Sequence, residues 1–132
     1  PALQSSAYAT AAEQIREGAY EDAVQNLRDF IHDNPSSAYA DDAQYWIGEA
    51  YLRQGAYSKA IIEFNQVVVH YGSSDTSAKA LLKQAEVFSL LGDDVDARFS
   101  LQKVVNNYAG SSEAARARAL LEKDQDRASA AP

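Results

Sequence analysis

The sequence predicts an all-α solenoid of three antiparallel helix pairs closed by a seventh helix, and three observations predict it. The first is an internal repeat. Gly18, Gly55 and Gly92 stand 37 residues apart, as do Ala23, Ala60 and Ala97, then Leu27, Phe64 and Leu101. Phe30, Val67 and Val104 keep the same interval, and so do Ile31, Val68 and Val105. Stacked units of this length bury a continuous core that a single copy has too little surface to form. The second is periodicity: Ala60, Ile61, Phe64, Val67 and Val68 fall at i, i+1, i+4, i+7 and i+8, one apolar stripe of a 3.6-residue helix. The third is punctuation. Each repeated Gly ends one helical stretch two or three residues before the next begins, suiting the left-handed position past a helix end that a Cβ would penalise. Two helices joined so tightly must fold back on each other.

The elements follow in order. The first repeat covers residues about 5–37; its second helix carries Ala23, Val24, Leu27, Phe30 and Ile31 and is stopped by Pro35, whose ring and missing N–H cannot continue a helix. The second repeat, 38–74, has Ile47, Ala50, Tyr51 and Gln54 running up to Gly55. In the third, 75–111, Ala85, Phe88 and Leu91 run up to Gly92, and Arg98 replaces Val24 and Ile61 of the other copies, narrowing the stripe. The junctions Asn34-Pro35-Ser36-Ser37, Tyr71-Gly72-Ser73-Ser74 and Tyr108-Ala109-Gly110-Ser111 place Ser37, Ser74 and Ser111 or Ser112 where a hydroxyl can cap the following helix. Ala114, Ala117, Leu120 and Leu121 mark a capping helix over 112–124, the first helix of a fourth repeat, which covers the apolar end of the stack. Residues 1–124 thus form the repeat domain, and 125–132 lack apolar periodicity and are expected to fray.

Composition narrows the function. The 132 residues carry a net charge of −7, and 46% are hydrophobic, too many for a disordered segment. No apolar run approaches the ~20 residues of a membrane helix, so no direct membrane insertion is expected. The pI of about 4.7 argues against nucleic acid, whose phosphates need clustered Lys and Arg. Without Cys there is no disulfide or thiolate chemistry. The chain opens at Pro1 with neither Met nor a signal peptide, which reads as an excised or mature segment.

In these positions the chain resembles the tetratricopeptide repeat. Gly48, Tyr51, Gly55, Tyr57, Ala60, Phe64 and Gly72 sit at that family's small, aromatic, turn and terminator positions. The first copy supplies Ala11, Gly18, Tyr20, Ala23, Leu27 and Pro35; the third supplies Ala85, Phe88, Gly92, Ala97 and Leu101, with Asp94 where the others have Tyr. The resemblance implies a right-handed superhelix lined on its inner face by the first helix of each pair. The period exceeds the family's usual 34 by three residues, expected to lengthen the first helix of each following copy by about a turn. More narrowly, FIHDNPSSAYADDAQYWIGEAYLRQGAYSKAIIEF and the closing YAGSSEAARARALLEK resemble the C-terminal domain of the periplasmic Tol–Pal accessory, or cell division coordinator, family. That resemblance implies a periplasmic protein-interaction module binding TolA and a bifunctional peptidoglycan synthase, so that outer-membrane constriction keeps step with wall synthesis in division. It also implies a preceding signal peptide and trimerising coiled coil, with the repeat domain itself monomeric and the longer protein oligomeric. The alternatives are the tetratricopeptide lipoprotein of the outer-membrane β-barrel assembly machinery, which shares the style of repeat junction, and a self-assembling structural module.

By the family pattern the inward positions are Tyr8, Ala12, Ile15 and Arg16 in the first repeat, and Asp42, Tyr45, Trp46, Glu49, Leu52 and Arg53 in the second. The third offers Lys79, Leu82, Lys83 and Glu86. Aromatic residues and Arg dominate interface energetics, making Tyr8, Tyr45, Trp46 and Arg53 the candidate anchors. Trp46 either faces a partner or packs against the preceding helix near Phe30 and Ile31; Tyr45 poses the same choice. The double substitution Tyr45→Ala with Trp46→Ala is expected to weaken binding with little loss of stability if both face a partner. Lys79 and Lys83, one helical turn apart, either meet an acidic stretch or form a solvated edge. They do not complete the carboxylate clamp of chaperone-binding tetratricopeptide domains, whose Asn positions are absent. Charge falls along the array from −4 over residues 1–37 to −2, −1 and zero in the segments that follow. The acidic first repeat either steers a basic helix or keeps the surface solvated.

No catalytic activity, cofactor or metal is expected. His32 and His70 lie in no metal-binding spacing and near helix ends, where a cation complements the dipole. Asp93, Asp94 and Asp96 lack the Gly and distal Glu of a calcium loop and instead suit a helix start, by capping and dipole complementation. There is no phosphate-binding glycine loop or nucleophile elbow.

Overall fold

The computed structural model describes the backbone of residues 2–130 and the side chains of 6–127 and 129. Seven helices follow one another, with no strand among the described residues: α1 (Ala2–Arg16), α2 (Tyr20–Asp33), α3 (Ala40–Arg53), α4 (Tyr57–His70), α5 (Asp75–Leu90), α6 (Asp94–Asn107) and α7 (Ser112–Ala130). The second helices α2, α4 and α6 each span 14 residues and begin 37 residues apart.

The turns between paired helices are built alike. Gly18, Gly55 and Gly92 take φ of 85°, 75° and 81°. Their N–H groups donate to the carbonyls of Ile15, Leu52 and Ser89, while Ala19, Ala56 and Asp93 reach back to Gln14, Tyr51 and Phe88. This double closure satisfies carbonyls that a helix end leaves open, and it requires the left-handed residue the sequence supplies.

The apolar stripes merge into a core running the length of the stack. Ile15, Leu27, Phe30 and Ile47 fill its first part, Phe64, Val67 and Val87 its middle, and Leu81, Leu101 and Val104 its far end. Burying one such side chain contributes about 1.5–3 kcal/mol relative to leaving it exposed. Gly48 lets α3 approach α4: a Cβ there would lie 2.6 Å from Phe64 Cδ1. Each helix packs on its chain neighbours, and the backbones of α1, α3, α5 and α7 also approach in succession, whereas those of α2, α4 and α6 stay apart and α2 reaches α4 through side chains, Arg28 to Glu63. The array therefore bends with the first helices on the inside.

Several local expectations are corrected. α3 has 14 residues, no longer than a second helix, while α5 has 16. Extra length enters α5 as expected, but ahead of α3 it stays in the junction 34–39, where Pro35 and the restriction it places on Asn34 delay helix re-entry. Only Ser111 caps in the expected way, accepting from the Ala114 N–H at 3.0 Å. Ser37 accepts from Tyr39 N–H at 3.1 Å ahead of α3, and the side chains of Ser74 and Asp93 make no cap bond. The closing helix runs to Ala130 rather than ending at residue 124. Positions 125–130 contain no Gly or Pro, and Arg127 in the last turn complements the helix dipole. The last two residues of the tail expected to fray, 131 and 132, lie outside the described residues.

Candidate functional site on the concave face

On α3, Asp42, Trp46, Glu49 and Arg53 are spaced i, i+4, i+7 and i+11, so they form one row. The small face of the helix, at Gly48, is spent on Phe64 of α4, and the row is left for the inside of the bend. Tyr8 of α1 meets it: its ring stacks on Tyr39 with centroids 5.9 Å apart. Burial pushes the Tyr8 hydroxyl above its ordinary pKa, Asp42 adds to this, and a hydrogen bond with Trp46 opposes it. Arg53 Cζ lies 5.8 Å from the centre of the Trp46 ring, a cation–π arrangement. Trp46 thus answers to both expectations: it packs against the cluster containing Phe30 and Ile31, and one side of it joins Tyr8 and Arg53 on the concave face.

Tyr45 is more deeply committed than expected. Its ring lies 5.4 Å from that of the fully buried Phe64. Its hydroxyl pKa is raised well beyond the ordinary value by burial first, then by the nearby Glu49 and Glu86 carboxylates, with Arg53 opposing. Tyr45→Ala therefore removes packing, and the Tyr45→Ala/Trp46→Ala pair is expected to cost stability as well as any binding.

Glu49, one of the inward positions, is held in ion pairs. It is 8% exposed, accepts from Arg53 Nε at 3.1 Å and lies 3.3 Å from Lys83 Nζ, which in turn lies 3.5 Å from Glu86. Glu49 braces α3 against α5. A second brace is the Thr76 hydroxyl donating to Asp42 at 2.8 Å. Ala12 and Ile15 are buried, Ile15 wholly in the core, and Leu52 is half-buried against the cluster around Phe64. Arg16 is exposed and pairs with Glu13 of its own helix, joining none of the α3 groups among the described residues.

Further along the array the concave face opens into a cleft of about 660 Å³ between α3, α5, α6 and α7. Tyr45, Lys79, Leu82, Lys83 and Glu86, all expected site residues, line it together. So do residues the sequence expectation left out: Arg116, Leu120, Lys123, Asp124 and Arg127 of α7, with Leu101 and Asp94 of α6. The signal for α7 was present. One period beyond Lys79, Lys83, Glu86 and Leu90 stand Arg116, Leu120, Lys123 and Arg127, so the closing helix presents inward the same positions as any other first helix. The cleft lining holds five cations against Glu86, Asp94 and Asp124.

Elsewhere, His32 and His70 occupy the last turns of α2 and α4, as expected. Asp94 and Asp96 fall in the first turn of α6, where they complement its dipole. Among the described residues no three His, Cys, Asp or Glu side chains lie together in a way that could hold a metal ion. No described helix is long and apolar enough to cross a membrane.

Residues 2–71 match the family model described as outer membrane lipoprotein (YfiO), and residues 79–111 match the tetratricopeptide repeat. The cell division coordinator CpoB of Pseudomonas putida is 36% identical over 55 residues, 42% of this chain. The aligned stretch spans only 20% of that curated relative's length. Among solved structures, the type III secretion translocator chaperone SycD of Yersinia enterocolitica superposes with a TM-score of 0.78 at 19% identity, over 96% of this chain and 95% of its own. PcrH of Pseudomonas aeruginosa gives 0.75 at 20% identity, over 93% and 92% of the two chains; PcrH has also been solved with the chaperone binding region of PopB. The tetratricopeptide domain of Arabidopsis FLU gives 0.68 at 18%, over 82% and 96%. At such identities the likeness is one of fold. The all-α repeat architecture and the resemblance to the cell division coordinators, both read from the sequence, are borne out.

Proposed function

Because the chain belongs to the outer membrane lipoprotein family, in a form built of tetratricopeptide repeats, we propose that it is a non-catalytic protein-interaction module of the bacterial cell envelope. It works in the periplasm, and its concave face binds TolA-like and peptidoglycan-synthase partners so that constriction and wall synthesis stay coupled. The observation that carries this reading is a group of large side chains that pack on the core with one side and leave the other on the inner face. Tyr8, Trp46 and Arg53 converge on the inner face of α1 and α3, and a lined cleft continues from them toward α7. Aromatic and Arg side chains gathered in a concavity are the composition of interface hot spots. The partial identity with CpoB supports the choice of partners. The complex of PcrH with the chaperone binding region of PopB supports the use of a chain segment as ligand.

The test is a calorimetric titration of the chain with purified periplasmic TolA segments, with Trp46 emission as a second readout because it is the sole Trp. Saturable binding is expected, weakened at least tenfold in the Trp46→Phe/Arg53→Ala variant, with circular dichroism confirming that the variant is folded at the assay temperature. Absence of binding to TolA and to peptidoglycan-synthase segments overturns this choice of partners. Weight then passes to the second reading, a scaffold of the β-barrel assembly machinery, which the match of residues 2–71 to an outer membrane lipoprotein favours.

A further inference from the structure

We propose that the C-terminal half of the concave face, where α5 faces α7, is a docking groove for an acidic peptide segment carrying an apolar side chain. This deepens the reading of the concave face as the binding surface and rests on it. Followed at the repeat interval, the inward positions change sign along the array. Asp42 of α3 becomes Lys79 of α5 and Arg116 of α7; Glu49 becomes Glu86 and then Lys123. A chain with a net charge of −7 therefore gathers five of its twelve Lys and Arg residues on one inner surface. Lys83 is engaged by Glu49 and Glu86, but Lys79, Arg116, Lys123 and Arg127 form no ion pair among the described residues. Of the three acids in the lining, Glu86 is paired with Lys83, and Asp94 sits in the first turn of α6, where the helix dipole holds it. Asp94 and Asp124 together oppose the four other cations, so the lining keeps a net positive charge.

Between these charges the floor is apolar. Leu82 and Leu120 are half-buried on facing helices, with Ala85 and Leu101 beneath them. A volume of about 660 Å³ falls in the range of pockets that enclose a few side chains. The occupant is a peptide, because a concave groove cannot be laid against a flat bilayer and because the repulsion of an acidic chain opposes an extended nucleic acid. Clustered charge of one sign in a low-dielectric concavity raises the local concentration and the association rate of the opposite sign.

The probe is a fluorescein-labelled 16-residue peptide with one Leu flanked by Asp and Glu, compared by anisotropy with its Asn/Gln counterpart. The acidic peptide is expected to bind at least tenfold tighter at 50 mM salt, with the margin shrinking at 300 mM as screening sets in. Lys123→Glu with Arg127→Glu, both on the exposed side of α7, should weaken it at least tenfold at unchanged melting temperature. Lys79→Glu on α5 should act in the same direction. Equal affinity for the two peptides, no binding of either, or insensitivity to the charge reversals overturns the proposal. So does displacement of the peptide by anionic phosphatidylglycerol vesicles, or self-association of the chain that the Lys123→Glu/Arg127→Glu variant abolishes, which would make the occupant a second copy. If TolA segments still bind in a Trp46-dependent manner, the envelope reading survives that failure.

Discussion

Replacing Gly48 by Ala inserts one methyl group where α3 crosses α4. The new Cβ would stand 2.6 Å from Phe64 Cδ1 and 2.7 Å from Cε1, about 1 Å inside carbon–carbon contact. Phe64 has little room to retreat, being fully buried with the Tyr45 ring 5.4 Å away. Overpacking of this kind costs about 1–3 kcal/mol, and the larger end applies when the neighbour is boxed in. Against it stands the gain of Ala over Gly inside a helix, about 1 kcal/mol. The net loss expected is about 2 kcal/mol, a fall in melting temperature of roughly 6–8 °C for a chain of this size. Urea unfolding followed in parallel by circular dichroism and by Trp46 emission measures it, and coincident transitions establish that one cooperative unit is being read. Gly110→Ala is the control: no atom lies within 4 Å of its added Cβ, so its effect should stay within about 0.5 kcal/mol. A Gly48→Ala variant as stable as the parent, or a Gly110→Ala variant equally damaged, would refute the steric account of this crossing.

Gly55→Ala should cost about 1–2 kcal/mol through its φ of 75° alone, since an added Cβ there meets nothing; Gly55→Asn should recover much of the loss, as measured by urea midpoints. Glu63 accepts from Arg28 at 2.5 Å and from the Gln44 amide at 2.7 Å at the α2–α3–α4 junction. Because Arg28 stays 44% exposed, Glu63→Ala should cost only about 1–2 kcal/mol, read by thermal denaturation. Tyr8, Tyr45 and Tyr71 are held above the ordinary tyrosine pKa by burial first. A raised folded-state value keeps protons on the native chain that the unfolded chain releases. Stability should therefore be unaffected well below about pH 10 and fall as pH rises past it, checked by urea midpoints at pH 8 and pH 10.5 and by phenolate absorbance.

The repeat interval, the helix count and the turn glycines were legible because each rests on a local cause: an apolar stripe, or a backbone position only Gly fills cheaply. So were Tyr8, Trp46 and Arg53 as neighbours, because helix periodicity puts residues of like position on one face. The depth to which Tyr45 and Glu49 are packed was not legible, for a different reason. Periodicity gives the direction of a side chain and says nothing of what a neighbouring helix brings up against it; here Phe64 of α4 backs Tyr45, and Lys83 of α5 closes on Glu49. The α7 side of the cleft was implied by the interval from Lys79 to Arg116, yet a terminal helix read as a cap was denied an inner face. What the sequence alone determined is a row of first helices and the kinds of side chain each presents. Tertiary packing decided how far those helices lean together, and so which charges are cancelled across the gap, as Glu49 is by Lys83, and which stand without an ion pair among the described residues.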